Sequence, residues 1–383
     1  MVIDMKLVYL LWGYPYDEAI IHAFELCGFK IERVELSQYE EDEIMKSRRA
    51  EEINEILEQR FMNHSGDAVF SVDFIPKISD FCQRMELPYC SWVLQLPDFG
   101  LYTKAVFNPC NYIGICDSYL VEKMWQLGVK RVFYLPDAVE LGKRIENVNE
   151  EREFCFIAKH PTSVLNTKKM TLYGKGYLNS FLHAQRVLFG ANILEEGLVK
   201  RVYQEFVKCN PIPENIIPNM QKLYVSDKYL APSCTAIQQN IFLKNNENIM
   251  TIYSNGAFEM CKTSKYSYVT EEIERRKIYA SKEFSLVLAP HVLHNAIPRD
   301  TLEVIAAGGF PVCGFQRDYS FFFKKDENLV YFTDSKEFQQ IIVRYGNHPD
   351  ERERIKENAY NLISQGHTYY HRIIYMLEMW DKL

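Results

Sequence analysis

Short apolar runs alternate with longer stretches in which apolar residues return every three or four positions. KLVYLLW (6–12) is the first run, and DEAIIHAFELCGF follows with helical spacing and a stop at Gly28. KIERVEL predicts a second strand and EEDEIMKSRRAEEINEILEQRF a charged helix. DAVFSVDF (67–74) predicts a third strand, PKISDFCQRMEL a helix opened by proline, and PYCSWVLQLP a fourth strand ending at Pro97. NYIGICD (111–117), the helix SYLVEKMWQLG and the strand KRVFYLP complete the series. Strands separated by helices through short connections imply parallel pairing, with helices on both faces of the sheet.

The texture changes at 137–152, where DAVELGKRIENVNEERE is polar and reads as a linker. The pattern restarts at EFCFIAKHPTS (153–163). Residues 170–245 read as mostly helical. IMTIYSNG (249–256), FSLVLAP (284–290), FPVCGF (310–315) and ENLVYF (327–332) are further strands, and SKEFQQIIVRYG, HPDERERIKENAYNLISQG and TYYHRIIYMLEMWDKL are helices. The expected fold class is α/β, with two doubly wound, Rossmann-like halves facing across a cleft. Domain 1 covers 1–140. Domain 2 covers 153–366 with a helical insertion near 170–245, and the terminal helix 367–383 returns to domain 1. Ligands in such sheets bind outside the carboxyl ends of the strands.

Composition narrows the function classes. The 383 residues are 47% hydrophobic and 25% charged, which suits two buried cores and argues against disorder. A formal net charge of −7 supplies no footprint for nucleic acid. Ten cysteines without a C-x-x-C spacing indicate neither a zinc ribbon nor a redox motif, and reduced thiols are expected. LVYLLWGYP is too short for a leader and acidic residues follow it. No window offers the twenty or so apolar residues of a membrane span, so a cytoplasmic protein is expected. H-E-x-x-H and Asp-x-Asp patterns are absent, so no metal is expected.

The richest stretch is PRDTLEVIAAGGFPVCGF (298–315). Pro298 opens a helix, Leu302, Ile305 and Ala306 give it one apolar face, and Gly308–Gly309 end it. Its first turn lies near the strand ends, where unpaired N–H groups and the helix dipole favour an anion such as a diphosphate. Glu303 is then either a solvated helix residue or the acceptor for the two hydroxyls of a ribose. His291 and His294 precede the helix and are candidates to contact a sugar or phosphate. Asp73 and Asp98 end strands of the first half and are candidates for a catalytic base. Asp117 reads equally well as a helix cap.

The run I-P-x-x-x-L-E-x-x-x-x-G-G-F, then D-x-x-x-F-F, E-x-L-V-x-F, HPDERERIKENA and HTYYHR, resembles the CgeB-like (spore maturation) glycosyltransferases, of the group 1 type. DAVFSVDFIPKISDFC, LPYCSWVLQLP and ICDSYLVEKMWQLGVKRVFYLP extend the resemblance over nearly the whole chain, least at 165–245. It implies the GT-B fold and transfer of a sugar from a nucleotide diphosphate sugar, a UDP-sugar first of all, to a hydroxyl of a protein or surface glycan. The donor would sit mainly on domain 2 and the acceptor on domain 1, without metal. Glu303 falls at the family's ribose-binding acidic position and Gly308 and Gly309 at its glycines. His367 and Arg372 fall at the closing H-T-Y-x-x-R. Lys159 takes the place of a phosphate-facing loop, by position only. Arg299, Lys159 and either Arg275 or Arg276 are the cations expected at the diphosphate. Relatives read I-P-L-R where this chain has I-P-R-D, which puts arginine at 299 and Asp300 in its slot, a rotation of about 100° on a helix. Gln95 replaces a usual aspartate, and Asn295 stands where many GT-B enzymes have the first of two glutamates. These departures raise a second reading, a GT-B-like pseudo-enzyme that binds a nucleotide or partner without turnover.

Overall fold

The computed structural model describes residues 5–35, 58, 66–142, 151–158, 165–185, 187, 189, 194–254, 266–267 and 272–382. The charged helix expected after KIERVEL lies almost wholly outside these residues, as does Lys159. The chain divides into two compact units. Unit 1 is Met1–Ala138, Asn215–Met220 and Thr368–Leu383, and unit 2 is Val139–Glu214 and Gln221–His367.

Unit 1 holds β1 (Lys6–Leu11), β2 (Lys30–Glu35), β3 (Ala68–Val72), β4 (Tyr89–Val93), β5 (Asn111–Ile115) and β6 (Val132–Tyr134). They form one parallel sheet in the order β2-β1-β3-β4-β5-β6. β3 and β4 are buried at every residue, as strands covered on both faces must be, and their sequences AVFSV and YCSWV are unbroken apolar or small runs. Trp92 belongs to this core, its indole N–H donating to the Leu135 carbonyl at 3.1 Å. Helix Pro76–Arg84 opens on its proline, and Asp117 caps helix Ser118–Gln126 through the Tyr119 N–H at 2.9 Å. The terminal helix Tyr369–Lys382 packs on helix Asp17–Leu26. Arg372 ties it down by donating Nε–H to the Pro136 and Asp137 carbonyls at 3.0 and 3.3 Å.

Unit 2 holds β7 (Glu151–Ile157), β8 (Met250–Tyr253), β9 (Tyr266–Ser267), β10 (Lys282–Val287), β11 (Pro311–Gly314) and β12 (Val330–Phe332), again all parallel, in the order β12-β11-β10-β7-β8-β9. The period of two sorts each strand's residues to opposite faces. Phe154, Phe156, Phe284, Leu286 and Val312 join Phe242, Phe310, Phe332 and Phe338 on one side. Cys155, Val287 and Cys313 join Leu302, Ile305 and Tyr319 on the other. Much of the aromatic content of unit 2 is therefore core. His367 packs edge-on to Phe322, with ring centres 4.8 Å apart.

The boundaries differ from those expected: the first unit ends at Ala138, and His367 belongs to unit 2. The second sheet begins at Glu151, inside the stretch read as linker. Residues 215–220, read as part of the helical insertion, cluster with unit 1: Ile216 bridges Thr103, and the Ile217 N–H donates to the Tyr102 carbonyl at 2.8 Å. The short NIIPNM segment, a bridge residue followed by a single turn at Pro218–Met220, carries no periodicity by which sequence would detect this distant partner.

Candidate functional site

In each sheet the direction of winding reverses once. In unit 2 the strands run outward from β7 through β8 to β9, then outward on the other side from β10 to β12, so the reversal lies between β7 and β10. In unit 1 it lies between β1 and β3. The loops leaving the two strands at such a point diverge to opposite faces and leave a crevice at their carboxyl ends. Chemistry is therefore sought after β7 and β10, and after β1 and β3.

In unit 2 the chain leaves β10 through 288–298 and enters helix Arg299–Ala307 with Pro298 at the N-cap, a residue that supplies no side-chain acceptor to the first turn. One and a half turns along, Glu303 is 16% exposed. It does not project into bulk solvent. Its carboxylate meets Arg275 Nη2 at 3.3–3.4 Å and Arg299 Nε at 3.8 Å. Arg275 reaches it from helix Glu272–Ser281, which packs alongside. The neighbouring Arg276 turns away to Glu272, the Ala306 carbonyl and the backbone of Gly142. Of the two arginines left open by sequence, Arg275 joins the cluster, together with Arg299.

The loop before this helix is fixed from behind. His294 is buried, with Nε2 3.1 Å from Oδ1 of an equally buried Asp227. Asp227 lies on the π-helical turn Ser226–Leu230 that leads into helix Ala231–Asn245. His291 meets Thr235 twice: its backbone N–H donates to the hydroxyl at 2.8 Å, and Nδ1 lies 3.3 Å from the same oxygen. Removal from water, with His294 close by, pushes the His291 pKa down to about 4. Asn295 is buried and its carbonyl accepts the Asp318 N–H at 3.1 Å. His294 and Asn295 thus hold the loop, whereas His291 keeps some exposure at its surface.

Gly308 and Gly309 form the helix stop. Gly308 is left-handed (φ 84°), and the N–H groups of Gly308 and Gly309 bond the Ile305 and Val304 carbonyls at 3.0 and 2.9 Å. A Cβ on Gly309 would stand 2.5 Å from the Tyr279 carbonyl oxygen. Both lie at the helix end away from Pro298, about 13 Å along its axis.

In unit 1, Asp73 follows β3 in a left-handed conformation (φ 59°). Its Oδ1 accepts the N–H groups of Leu94 and Gln95, each at 2.9 Å, and its Oδ2 accepts the hydroxyl of Tyr14 at 3.0 Å. Tyr14 leaves β1, so this last bond crosses the reversal point. Tyr14 stacks on Tyr16, with ring centres 5.4 Å apart, and Gln95 donates to the Tyr16 hydroxyl at 3.2 Å. Asp98 has both oxygens occupied: Oδ2 accepts the Phe74 N–H at 2.7 Å and Oδ1 the Gly100 N–H at 2.8 Å. Asp98 thereby fixes the residue after Asp73. Burial raises the pKa of both carboxyl groups, and their mutual repulsion adds to the rise at Asp98. Tyr14, Asp227 and Thr235 were missed in the sequence. Tyr14 alone carried a signal, its place directly after a buried strand.

A cavity of about 690 Å³ opens at the other end of the second sheet, between Arg152, Glu247, Phe284 and Gly346. Two of its lining carboxylates are paired, Glu153 with Lys282 at 2.5 Å and Glu283 with Arg352 at 3.0 Å, and it faces the amino ends of β7, β8 and β10.

Residues 243–378 match a family model described as glycosyl transferase-like. The matched segment contains Arg275, Asn295, Arg299 and Glu303. Solved structures align with nearly the entire chain. HepE from Anabaena, crystallised with UDP-glucose, is 10% identical over 99% of this chain and 100% of its own, with a TM-score of 0.53. Sucrose-phosphate synthase from Thermosynechococcus elongatus is 7% identical over 99% of each chain, also at 0.53. The fold is GT-B. A UDP-forming alpha,alpha-trehalose-phosphate synthase from Burkholderia vietnamiensis shares the same GT-B frame at 9% identity over 99% of each chain, with a TM-score of 0.51. No curated protein matches the chain. Among the described residues no helix is long and apolar enough to cross a membrane.

Proposed function

We propose that the protein is a glycosyltransferase that moves a sugar, a hexose in the first instance, from a UDP-sugar to a hydroxyl of a protein or surface glycan. It would act without metal, in the cytoplasm, as a CgeB-like member of its class. The observation that carries this reading is the Arg275–Glu303–Arg299 cluster beside an N-cap proline, next to the reversal point of the second sheet. The carboxylate accepts the two ribose hydroxyls. The guanidinium groups and the first-turn N–H groups oppose the charge that grows on the leaving diphosphate. The UDP-glucose held by the Anabaena protein supports the choice of donor at the level of fold.

Unit 1 would receive the acceptor. Among the carboxylates at its strand ends, Asp73 suits a base best. Backbone N–H groups fix one of its oxygens, and the other is held only by the Tyr14 hydroxyl, which an acceptor hydroxyl would displace. Its raised pKa makes it a stronger base than an exposed aspartate. Asp98 positions it. The test is a thermal-shift panel of nucleotides and nucleotide sugars, followed by transfer and hydrolysis assays. A ligand at a hundred times its Kd stabilises the fold by about 2.7 kcal/mol, which is readily seen. No response to any nucleotide sinks the reading. Binding without hydrolysis or transfer favours the pseudo-enzyme, which the replacements at Gln95, Asn295 and Asp300 motivate.

A further inference from the structure

Helix Leu172–Gln185 buries Gly174, Leu178, Leu182 and Gln185, a stripe stepping by four, four and three. Its first two residues fall outside that stripe. Leu172 is 88% exposed and Tyr173 is 58% exposed. Helix Lys200–Cys209 packs beside it. The Thr171 hydroxyl donates to Glu205 at 2.7 Å, and the Arg201 guanidinium lies 5.2 Å from the centre of the Tyr173 ring. Val199, just ahead of the second helix, is 41% exposed. Apolar side chains therefore stand outward at one corner of two antiparallel helices, which are tied by the Tyr177 hydroxyl donating to the Gly197 carbonyl at 2.7 Å.

The charge at this corner is opposite in sign to that of the chain. Among the described residues of 165–210 there are six cations, Lys168, Lys169, Lys175, Lys200, Arg201 and Lys208. Three glutamates oppose them, and one of these, Glu205, is engaged by Thr171 and by Arg201 at 3.9 Å. The formal net charge of the whole chain is −7. A single exposed leucine is ordinary. A leucine–tyrosine step with Arg201 against its ring, on a segment where cations outnumber carboxylates in an acidic chain, has the chemistry of an interfacial anchor.

We propose that this corner docks on a membrane surface rich in anionic phospholipid, with Leu172 and Tyr173 entering the boundary between headgroups and acyl chains and the lysines meeting phosphates. The inference is independent of the glycosyltransferase reading and concerns where the protein works. A lipid surface fits better than a protein partner for two reasons. Two or three protruding apolar side chains fall far short of the roughly 800 Å² per side that a stable protein interface buries. Long, flexible lysines suit a diffuse array of headgroups better than fixed carboxylates.

The test is sedimentation of the full chain with phosphatidylcholine vesicles, with and without about one-third phosphatidylserine. The wild-type protein should pellet with the anionic vesicles only, and raised salt should release it. Each of Lys168→Ala and Lys169→Ala should weaken binding roughly fivefold. Leu172→Asp should weaken it tenfold or more, with an unchanged thermal midpoint because the side chain is exposed. Equal affinity for neutral vesicles, or binding unmoved by all three substitutions, overturns the proposal. Absence of vesicle binding, with self-association that Leu172→Asp abolishes, overturns it in favour of a protein contact.

Discussion

Replacing Glu303 with alanine should move the affinities for two fragments of the donor in opposite directions. The carboxylate is expected to accept two ribose hydroxyls, and a hydrogen bond to a charged group contributes about 1.5–3 kcal/mol. Loss of one such interaction in full, with the second partly compensated by water, gives about 2–3 kcal/mol. That is a rise in the Kd for UDP of about 30- to 150-fold. The same carboxylate neutralises Arg275 and Arg299, which it meets at 3.3 and 3.8 Å. Its removal leaves both guanidinium groups to the diphosphate, so inorganic pyrophosphate should bind several-fold tighter. Arg275→Ala should weaken both ligands. Stability should change little, because ion pairs with partly exposed members contribute about 1 kcal/mol or less. Titration calorimetry of UDP and pyrophosphate on the three proteins measures all of this. An unchanged UDP affinity in Glu303→Ala refutes the ribose assignment. If pyrophosphate affinity falls along with that of UDP, the cluster is a structural brace and not a divided site.

The remaining predictions concern pH and packing. His291 has a folded-state pKa near 4, below its ordinary 6.5, so the unfolded chain binds the proton more readily. Its contribution to stability is present above pH 6.5 and lost as pH falls towards 4, and His291→Gln should flatten that part of a plot of melting temperature against pH. Asp98 is shifted the other way, from 3.8 up to about 8. Its contribution is full below pH 3.8 and lost as pH rises towards 8, so Asp98→Asn should remove a slope of opposite sign in the same melting series. Gly309→Ala drives a Cβ against the Tyr279 carbonyl and should cost about 1–3 kcal/mol in urea unfolding, leaving the UDP affinity of the folded protein unchanged. Arg372→Met strips two carbonyls of their buried donor and should lower stability by about 2–3 kcal/mol with an unchanged urea m-value.

Much of the architecture was legible because a buried parallel strand has a local signature. AVFSV, YCSWV and PVCG are runs that no amphipathic helix would carry, and each is a strand. Helix ends were legible for the same reason: Pro76, Asp117 and Gly308 act through their own backbone neighbourhood. Pairings between distant segments were not. Nothing near Asp227 announces a partner at His294, and nothing in 215–220 announces Thr103. The choice between Arg275 and Arg276 rested on a rotation of about 100° about one helix, which residue types alone leave open.

The candidate site shows where local reading stops. Asp73, His291 and Lys159 were each recognisable as residues following a strand and Glu303 as a residue of a helix beyond one, and many other residues share those descriptions. What singles out some strand ends is the order of the strands. The strand order carries β7, β8 and β9 one way across the second sheet and β10, β11 and β12 the other. At β7 and β10 the strand order reverses, which is where open parallel sheets place a ligand crevice at the carboxyl edge. The loop that fills this position holds His291 and leads into the helix of Arg299 and Glu303. In unit 1 the same reasoning selects β1 and β3, and there Tyr14 and Asp73 already share a hydrogen bond. The sheet order, a non-local property, makes these few residues, and not ordinary loop positions, the candidate site. Their chemistry can therefore be tested separately in each unit, at Glu303 with nucleotides and at Asp73 with acceptors.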